Sequence, residues 1–419
     1  MGIESAIVRN RLEQVIRKGR LEITFPEGKT AKFGSYRDRP VRITIRSNAW
    51  LRRILLDPEL QIGEAFMAGG LSIEFGDLYS LLNLFWMNFR ADGNPAARLP
   101  AFFRKSARLI AQFNPQERSA RNVAHHYDIG NDLYRLFLDD DMQYSCAYFP
   151  ESGASLEQAQ QFKKEHIARK LCLAPGDRVL DIGCGWGGLA LHLCQADGVS
   201  VHGLTLSCEQ YDLACKRAEQ LGLGDRVTFQ IQDYRSLTGE YDKIVSVGMF
   251  EHVGVPHYQE YFDQISARLS PDGIALVHTI GRSGGPGATN PWIARHIFPG
   301  GYIPALSEVL PAIEKAGLML LDVEVLRLHY AETLRAWRER FLIRAAEAEA
   351  LHDARFVRMW EFYLVCSELS FRHGVHNVFQ LQLSKQQEAV PLTRDYLYRA
   401  DPISVSTPRA SCANEERQY

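Results

Sequence analysis

The stretch VLDIGCGWGGLA, residues 179–190, places four glycines within six residues directly behind a short apolar run. This pattern reads as a strand turning tightly into a helix, because glycine adopts left-handed backbone angles freely and leaves room for a ligand beside the main chain. The surrounding sequence repeats the rhythm. DRVLDIG, VSVHGLTL, RVTFQIQD, YDKIVSVGM and GIALVHTI are β-branched apolar runs, each followed by a helical segment. Such alternation predicts an α/β fold with a doubly wound parallel sheet. Ligands of these sheets bind beyond the carboxyl ends of the strands.

Further along, ALSEVLPAIEKAG (305–317) reads as a helix and LMLLDVEVL (318–326) as a strand. Residues 331–372 read as long helices with aromatic faces before NVFQLQLSK (377–385) supplies a final strand, so a helical insert precedes the last strand. GRSGGPGATNPWIARHIFPGG (281–301) is long and rich in glycine and proline, the character of a lid. On the N-terminal side, LEITF, VRITI and AWLRRILLDPELQIGEAFMAGG read as a small α+β domain of a few strands and a helix. LYSLLNLFWMNF (78–89) and PAFFRKSARLIAQF (100–113) follow. In the second, Phe102, Phe103, Ser106, Ala107, Ile110 and Phe113 share a helical face that Arg104, Lys105 and Arg108 avoid. This segment either lies in a lipid interface or docks on the protein's own core. The expected divisions are a small basic α+β domain over 1–115, an α/β domain over 116–395 and a polar tail over 396–419.

With 419 residues, 46% of them hydrophobic and 11% aromatic, the chain has material for two or three domains with ordinary cores. No run of about 18 apolar residues occurs, and the N-terminus lacks the basic-then-apolar pattern of a secretory leader. A cytoplasmic protein that does not span a membrane is expected. The eight cysteines are scattered without a C-x-x-C pair, and no histidine cluster stands at ligand spacing, so reduced thiols and no metal are expected. The net charge of −2 divides unevenly. Residues 1–120 hold 19 Lys and Arg against 12 Asp and Glu, a balance of +7, and the remainder carries −9. That split suits an anionic partner, nucleic acid or a membrane surface, unless the basic face is simply solvated.

Gly183, Gly185 and Gly188 satisfy G-x-G-x-x-G, the turn of a nicotinamide site. A dinucleotide site also needs an acidic residue closing the second strand to hold the ribose, and here that strand ends Leu204-Thr205-Leu206-Ser207. The spacing D-x-G-x-G-x-G, with Asp181 ahead of Gly183, Gly185 and Gly187, instead resembles the first motif of methyltransferases that use S-adenosylmethionine (SAM). Glycines let the backbone approach the amino-acid part of that cofactor, and a nearby carboxylate answers its ammonium. Asp233 and Tyr234, in QDY at the end of the third strand, stand where such folds contact adenine, and Tyr234 offers a stacking face.

Three further stretches, YDIGNDLYRLFLDDDMQYSCAYF (127–149), LTLSCEQ (204–210) and VSVGMFEHVG (245–254), closely resemble the cyclopropane-fatty-acyl-phospholipid synthases, the mycolic acid cyclopropane synthase family of SAM-dependent methyltransferases. The resemblance spans roughly residues 20–395. It implies a Rossmann-like class I SAM methyltransferase sheet behind a lipid-binding N-terminal domain. It replaces the missing ribose carboxylate by T-x-S-x-x-Q, met at Thr205, Ser207 and Gln210. By the same resemblance Tyr127, Tyr144, Ser145, Asp181, Gly183, Cys184, Gly185, Gly187, Thr205, Gln210, Asp233 and Tyr234 surround SAM. The implied reaction adds a methylene to the cis double bond of an acyl chain in a membrane phospholipid. An alkene is a poor nucleophile, so methyl transfer leaves a carbocation, and a base must take a proton from the new methyl for the ring to close. In the family that base is a bound bicarbonate, held by groups matching Cys146, Glu251, His278, the backbone amide of Ile280, and Tyr330. General-base work of this kind is worth about 10²- to 10⁴-fold.

Each of these residues has a structural reading: Cys146 as a small buried hydrophobe, His278 as a satisfied core histidine, Glu251 as a helix cap, Tyr330 as core filler. Relatives often carry a cysteine on the late helix, where YLVCSELSFR places Ser367, with Cys366 one residue earlier. Cys366 is therefore not assigned a role. The resemblance makes the partner of the basic N-terminal part the phospholipid surface rather than nucleic acid, places the enzyme on the inner face of the membrane, and implies the homodimer common in the family. Alternatives are methylation of the same alkene without ring closure, an amine N-methyltransferase sharing FEH and YSC, and a catalytically silent lipid-binding protein.

Overall fold

The structure is a computed structural model that describes residues 2–89 and 129–398. Tyr127, the segment 100–113 and residues 399–419 lie outside the described residues.

The N-terminal domain begins with α1 (Ile3–Val15) and builds a four-stranded sheet from β1 (Arg20–Thr24), β2 (Thr30–Gly34), β3 (Pro40–Ile45) and β4 (Leu71–Phe75) in the order β2-β1-β3-β4. Alternation along β1 and β3 buries Leu21, Ile23, Val41, Ile43 and Ile45. The stretch from 49 to 70, read as one helix, is two: α2 (Asn48–Leu56) and α3 (Pro58–Met67). Pro58 has no N–H to continue α2 and forces Asp57 out of helical geometry, at φ −145° and ψ 77°. Then α4 (Leu78–Phe89) closes the described part of the domain.

The second domain holds α5 (Leu156–Leu171), β5 (Arg178–Ile182), α6 (Gly188–Asp197), β6 (Ser200–Thr205), α7 (Cys208–Gln220), β7 (Val227–Ile231), β8 (Tyr241–Val247), α8 (Tyr258–Arg268) and β9 (Leu269–Arg282). After α9 (Pro291–His296), α10 (Leu306–Lys315) and β10 (Met319–Val325) come α11 (His329–Ile343), α12 (Ala345–Leu351), α13 (Ala354–Arg372) and β11 (His376–Ser384). Seven strands lie in the order β10-β11-β9-β8-β5-β6-β7. From β9 to β7 neighbours are parallel, as the strand–helix alternation predicts, whereas β11 is antiparallel to both β9 and β10. The sheet is thus not wholly parallel. Because β10 ends and β11 begins at the carboxyl end of the sheet, the helical insert α11–α13 stands over that end, where ligands bind.

Tyr396 and Leu397, placed in the tail by the sequence, are buried against Cys172 and Ile274, so the packed chain continues at least through Leu397. The two domains are in contact: α3 packs on α9 and α13, and α4 packs on α13. Among the described residues no helix is long and apolar enough to cross a membrane, and no group of His, Cys, Asp and Glu is arranged to hold a metal. The seven described cysteines are unpaired.

Candidate active site

The glycine turn sits where β5 gives way to α6, and its glycines have distinct tasks. Gly183, at φ +83°, faces Met249, and a Cβ there would lie 2.9 Å from the Met249 Cβ. Gly187, at φ +80°, faces away from the cavity: a Cβ would meet Phe229 at 2.7 Å and Ala214 at 3.0 Å. Gly187 thus packs the turn onto β7 and α7. The cleft in front of the turn is lined by Asp181, Gly183, Cys184 and Gly185 on one side. Thr205, Gln210, Asp233 and Tyr234 line another side, and Tyr144 and Ser145 approach from the segment before α5.

Electrostatics single out Asp181 at the end of β5. It is buried, its Oδ2 has no hydrogen-bond partner, and burial pushes its carboxyl up to about 7 against the pull of Lys163. A buried acceptor left unpaired costs free energy that a ligand ammonium would recover. Thr205 Oγ1 donates to Gln210 Oε1 at 2.8 Å, while Ser207 caps α7 instead of lining the cleft. Asp233 is held by Arg235 through Nε at 2.9 Å and Nη2 at 2.7 Å, which sets its carboxylate beside Tyr234.

Beneath the cleft lies a layer the sequence did not disclose. Helix α5 opens with a capping box between Ser155 and Gln158 and turns Gln160, Lys163, His166 and Lys170 inward. Gln160 Nε2 donates to the carbonyls of Gln143 (3.2 Å) and Ser145 (3.1 Å). Lys163 Nζ, fully buried, donates to Gln143 Oε1 at 2.6 Å and Ser145 Oγ at 2.8 Å. Burial lowers the Lys163 ammonium to about 8, against the raising pull of Asp139 and Asp141. Four hydrogen bonds from α5 therefore fix the segment that carries Tyr144, Ser145 and Cys146. Farther along the helix, His166 Nε2 (2.6 Å) and Lys170 Nζ (2.5 Å) converge on Glu324 Oε2. Burial opposes charge on Glu324, but these two neighbours hold its carboxyl at about 2. The sequence signal was a helix with polar residues at positions 160, 163, 166 and 170, a spacing that ordinarily marks a solvated face.

The second set of predicted residues lies just past β8, at Glu251, and within β9, at His278 and Ile280. Glu251 is buried; its Oε1 accepts the Ile280 N–H at 2.6 Å and its Oε2 has no partner. Burial raises its carboxyl to about 7, opposed by the Ile280 hydrogen bond. The Ile280 amide, expected to hold the anion directly, is thus engaged by Glu251. His278 is buried, its Nδ1 pairs with the Gln380 side-chain amide at 3.0 Å, and burial holds it neutral, down at about 3. Gln380 faces His278 across the β9–β11 register and was not found from the sequence.

Cys146 donates its S–H to the Ala147 carbonyl at 3.4 Å, and burial pushes its thiol well above the usual range, so it is no thiolate. Cys366 is likewise pushed up by burial. Tyr330 packs edge-on to Trp337 (5.8 Å), which stacks on Tyr144 (5.1 Å). Cys146 and Tyr330 share one apolar cluster, with Ile280 packed against it. The buried, unpartnered Glu251 Oε2 fits a small anion such as bicarbonate when its carboxyl carries a proton to donate. The cleft suits a cofactor with one cationic end and one aromatic end.

Residues 114–381 match the family model described as mycolic acid cyclopropane synthetase, and residues 8–90 match a domain of unknown function. The chain is 38% identical over 353 residues to the cyclopropane-fatty-acyl-phospholipid synthase of Escherichia coli K12, covering 83% of this chain and 89% of that one. It is 34% identical over 402 residues to the tuberculostearic acid methyltransferase of Mycobacterium tuberculosis, covering 91% and 92%. Mycolic acid cyclopropane synthase CmaA1, in a crystal structure complexed with SAH and CTAB, aligns at TM-score 0.60 and 31% identity, over 65% of this chain and 99% of that chain.

Proposed function

The chain belongs to the mycolic acid cyclopropane synthetase family and is a SAM-dependent methyltransferase; from that premise we propose that it converts the cis double bond of an acyl chain in a membrane phospholipid into a cyclopropane. The observation that carries this reading is the pairing of two buried carboxyls, Asp181 and Glu251, each with an unpartnered oxygen, one lining the cleft and the other at the neighbouring strand end. When bound, SAM supplies an electrophilic methyl and bicarbonate supplies the base for its proton. Asp181 Oδ2 would answer the cofactor's ammonium, and Asp233, Tyr234 and Tyr144 would hold the rest of it in the cleft that they line. Glu251, whose carboxyl burial raises to about 7 so that it still carries protons near neutral pH, donates through Oε2 to the anion while Oε1 stays tied to Ile280. His278, oriented by Gln380, holds the anion as well. Cys146 and Tyr330 keep the surroundings apolar, where a carbocation meets few nucleophiles. The basic N-terminal part, with its +7 balance, serves a peripheral attachment to anionic lipid.

Mass spectrometry of unsaturated phospholipid vesicles incubated with the protein and SAM tests the reading. A gain of one CH₂ with loss of the alkene signal supports ring closure. A methyl or methylene branch supports methylation without closure. No mass change with SAM bound would overturn both.

A further inference from the structure

Helix α3 of the N-terminal domain forms a seat for α9, the short helix inside the Gly/Pro-rich loop. At Gly63 the two elements touch: an added Cβ would lie 2.5 Å from Trp292 Nε1 and 2.9 Å from Phe362 on α13. Trp292 is completely buried there, its ring 4.6 Å from Phe362. One residue on, Glu64 gathers basic side chains from both catalytic-domain elements. Its Oε1 lies 2.8 Å from His296 Nε2 and 3.2 Å from Arg295 Nη1, and its Oε2 lies 3.9 Å from Arg355 Nη2. Burial opposes charge on Glu64, yet its hydrogen bonds to His296 and Arg295 outweigh that and hold its carboxyl below the usual range. At the end of α3, Arg358 Nε donates to the Met67 carbonyl at 2.9 Å.

What α9 holds is the wall of the cofactor cleft. Two residues past α9, the Phe298 ring stands edge-on to His252 at 6.0 Å and to Tyr363 at 5.9 Å. His252 lines the cleft, and the Tyr363 hydroxyl pairs at 2.8 Å with that of Tyr144, which lines it too. The Tyr302 N–H also donates to the Glu251 carbonyl at 3.0 Å. Contacts therefore run without a gap from Gly63 and Glu64 through Trp292 and His296 to Phe298 and on to the cleft.

We propose that Gly63 and Glu64 are positioning residues of the reaction: the N-terminal domain, beyond the lipid attachment given to it above, seats α9 and so sets the wall of the cofactor cleft from across the domain boundary. Lipid attachment alone would need none of these contacts, because a docking module on a loose tether serves that purpose.

The test uses the full chain carrying Glu64→Gln, which removes one charge and almost no volume, and Gly63→Ala as a second variant acting through packing alone. Hydrogen exchange over 290–301 is expected to rise about tenfold in Glu64→Gln, with the strands of the catalytic sheet unchanged, as for local opening of one unit. SAM affinity by calorimetry is expected to weaken about three- to tenfold, and kcat on vesicles to fall with KM for lipid unchanged. Unaltered exchange over 290–301 and unaltered SAM affinity in Glu64→Gln would overturn the proposal, as would a change confined to vesicle binding or KM. Exchange and SAM affinity need no acceptor, so they read this proposal separately from the identity of the acceptor lipid.

Discussion

Two layers of the site differ in how their polar atoms are treated. In the cleft layer, at the strand ends, Asp181 Oδ2 and Glu251 Oε2 are buried and unpartnered. In the layer beneath, Lys163 Nζ is as deeply buried but bonded to Gln143 and Ser145. Burying a polar atom without a partner costs about 1–3 kcal/mol. The difference teaches where ligands belong: the upper layer carries that cost until something binds, while the lower layer is complete and holds the upper one in register.

The comparison breaks first at Glu251. Glu251→Leu removes both the acceptor for Ile280 and the donor to the anion, and should lower turnover about 10²-fold or more with SAM affinity intact. Single-turnover assays paired with calorimetry check this, and near-normal turnover would remove Glu251 from the chemistry. A smaller effect is expected in the lower layer. Lys163→Met leaves the Gln143 and Ser145 acceptors buried without their donor, which should lower the thermal midpoint by roughly 2–8 °C for a cost of about 1–3 kcal/mol. SAM affinity should fall with it, since Ser145 lines the cleft. A variant as stable as the parent, with equal SAM affinity, would mean that α5 does not set the segment above it.

The smallest effect sharpens the comparison through pH. Asp181 has a folded pKa raised to about 7 from an ordinary 3.8. A raised acid favours the folded state while protonated, so its contribution is full below about pH 4 and is lost as pH rises through 7. Asp181→Asn stays neutral throughout, and the midpoint of the SAM-free parent relative to it should therefore fall by a few degrees between pH 5 and 8. SAM should remove that slope by supplying the missing cation. A flat difference without SAM would show that Asp181 has another partner.

Much of the site was legible because it is written in backbone requirements and short spacings. Gly183 and Gly185 take left-handed angles that glycine adopts most easily, and Glu251, just past β8, and His278, inside β9, belong to neighbouring strands of the sheet. Gly187 shows the limit: it belongs to the same motif, yet its missing Cβ makes room for Phe229, a contact set by the strand two places away. Ile280 shows another, since only the fold reveals that its N–H is engaged by Glu251.

By itself the sequence determined the alternation of strands and helices, the left-handed glycine turn and the family motifs, all of which depend on residues close together in the chain. Tertiary structure alone decided the reversed direction of β11, the inward polar face of α5, the Gln380–His278 pair and the seat of α9 on Gly63 and Glu64. These depend on partners far apart in sequence, such as Glu64 and His296 or Lys163 and Gln143. Whether a buried polar group is satisfied is a property of the pair, and no single stretch of chain carries it.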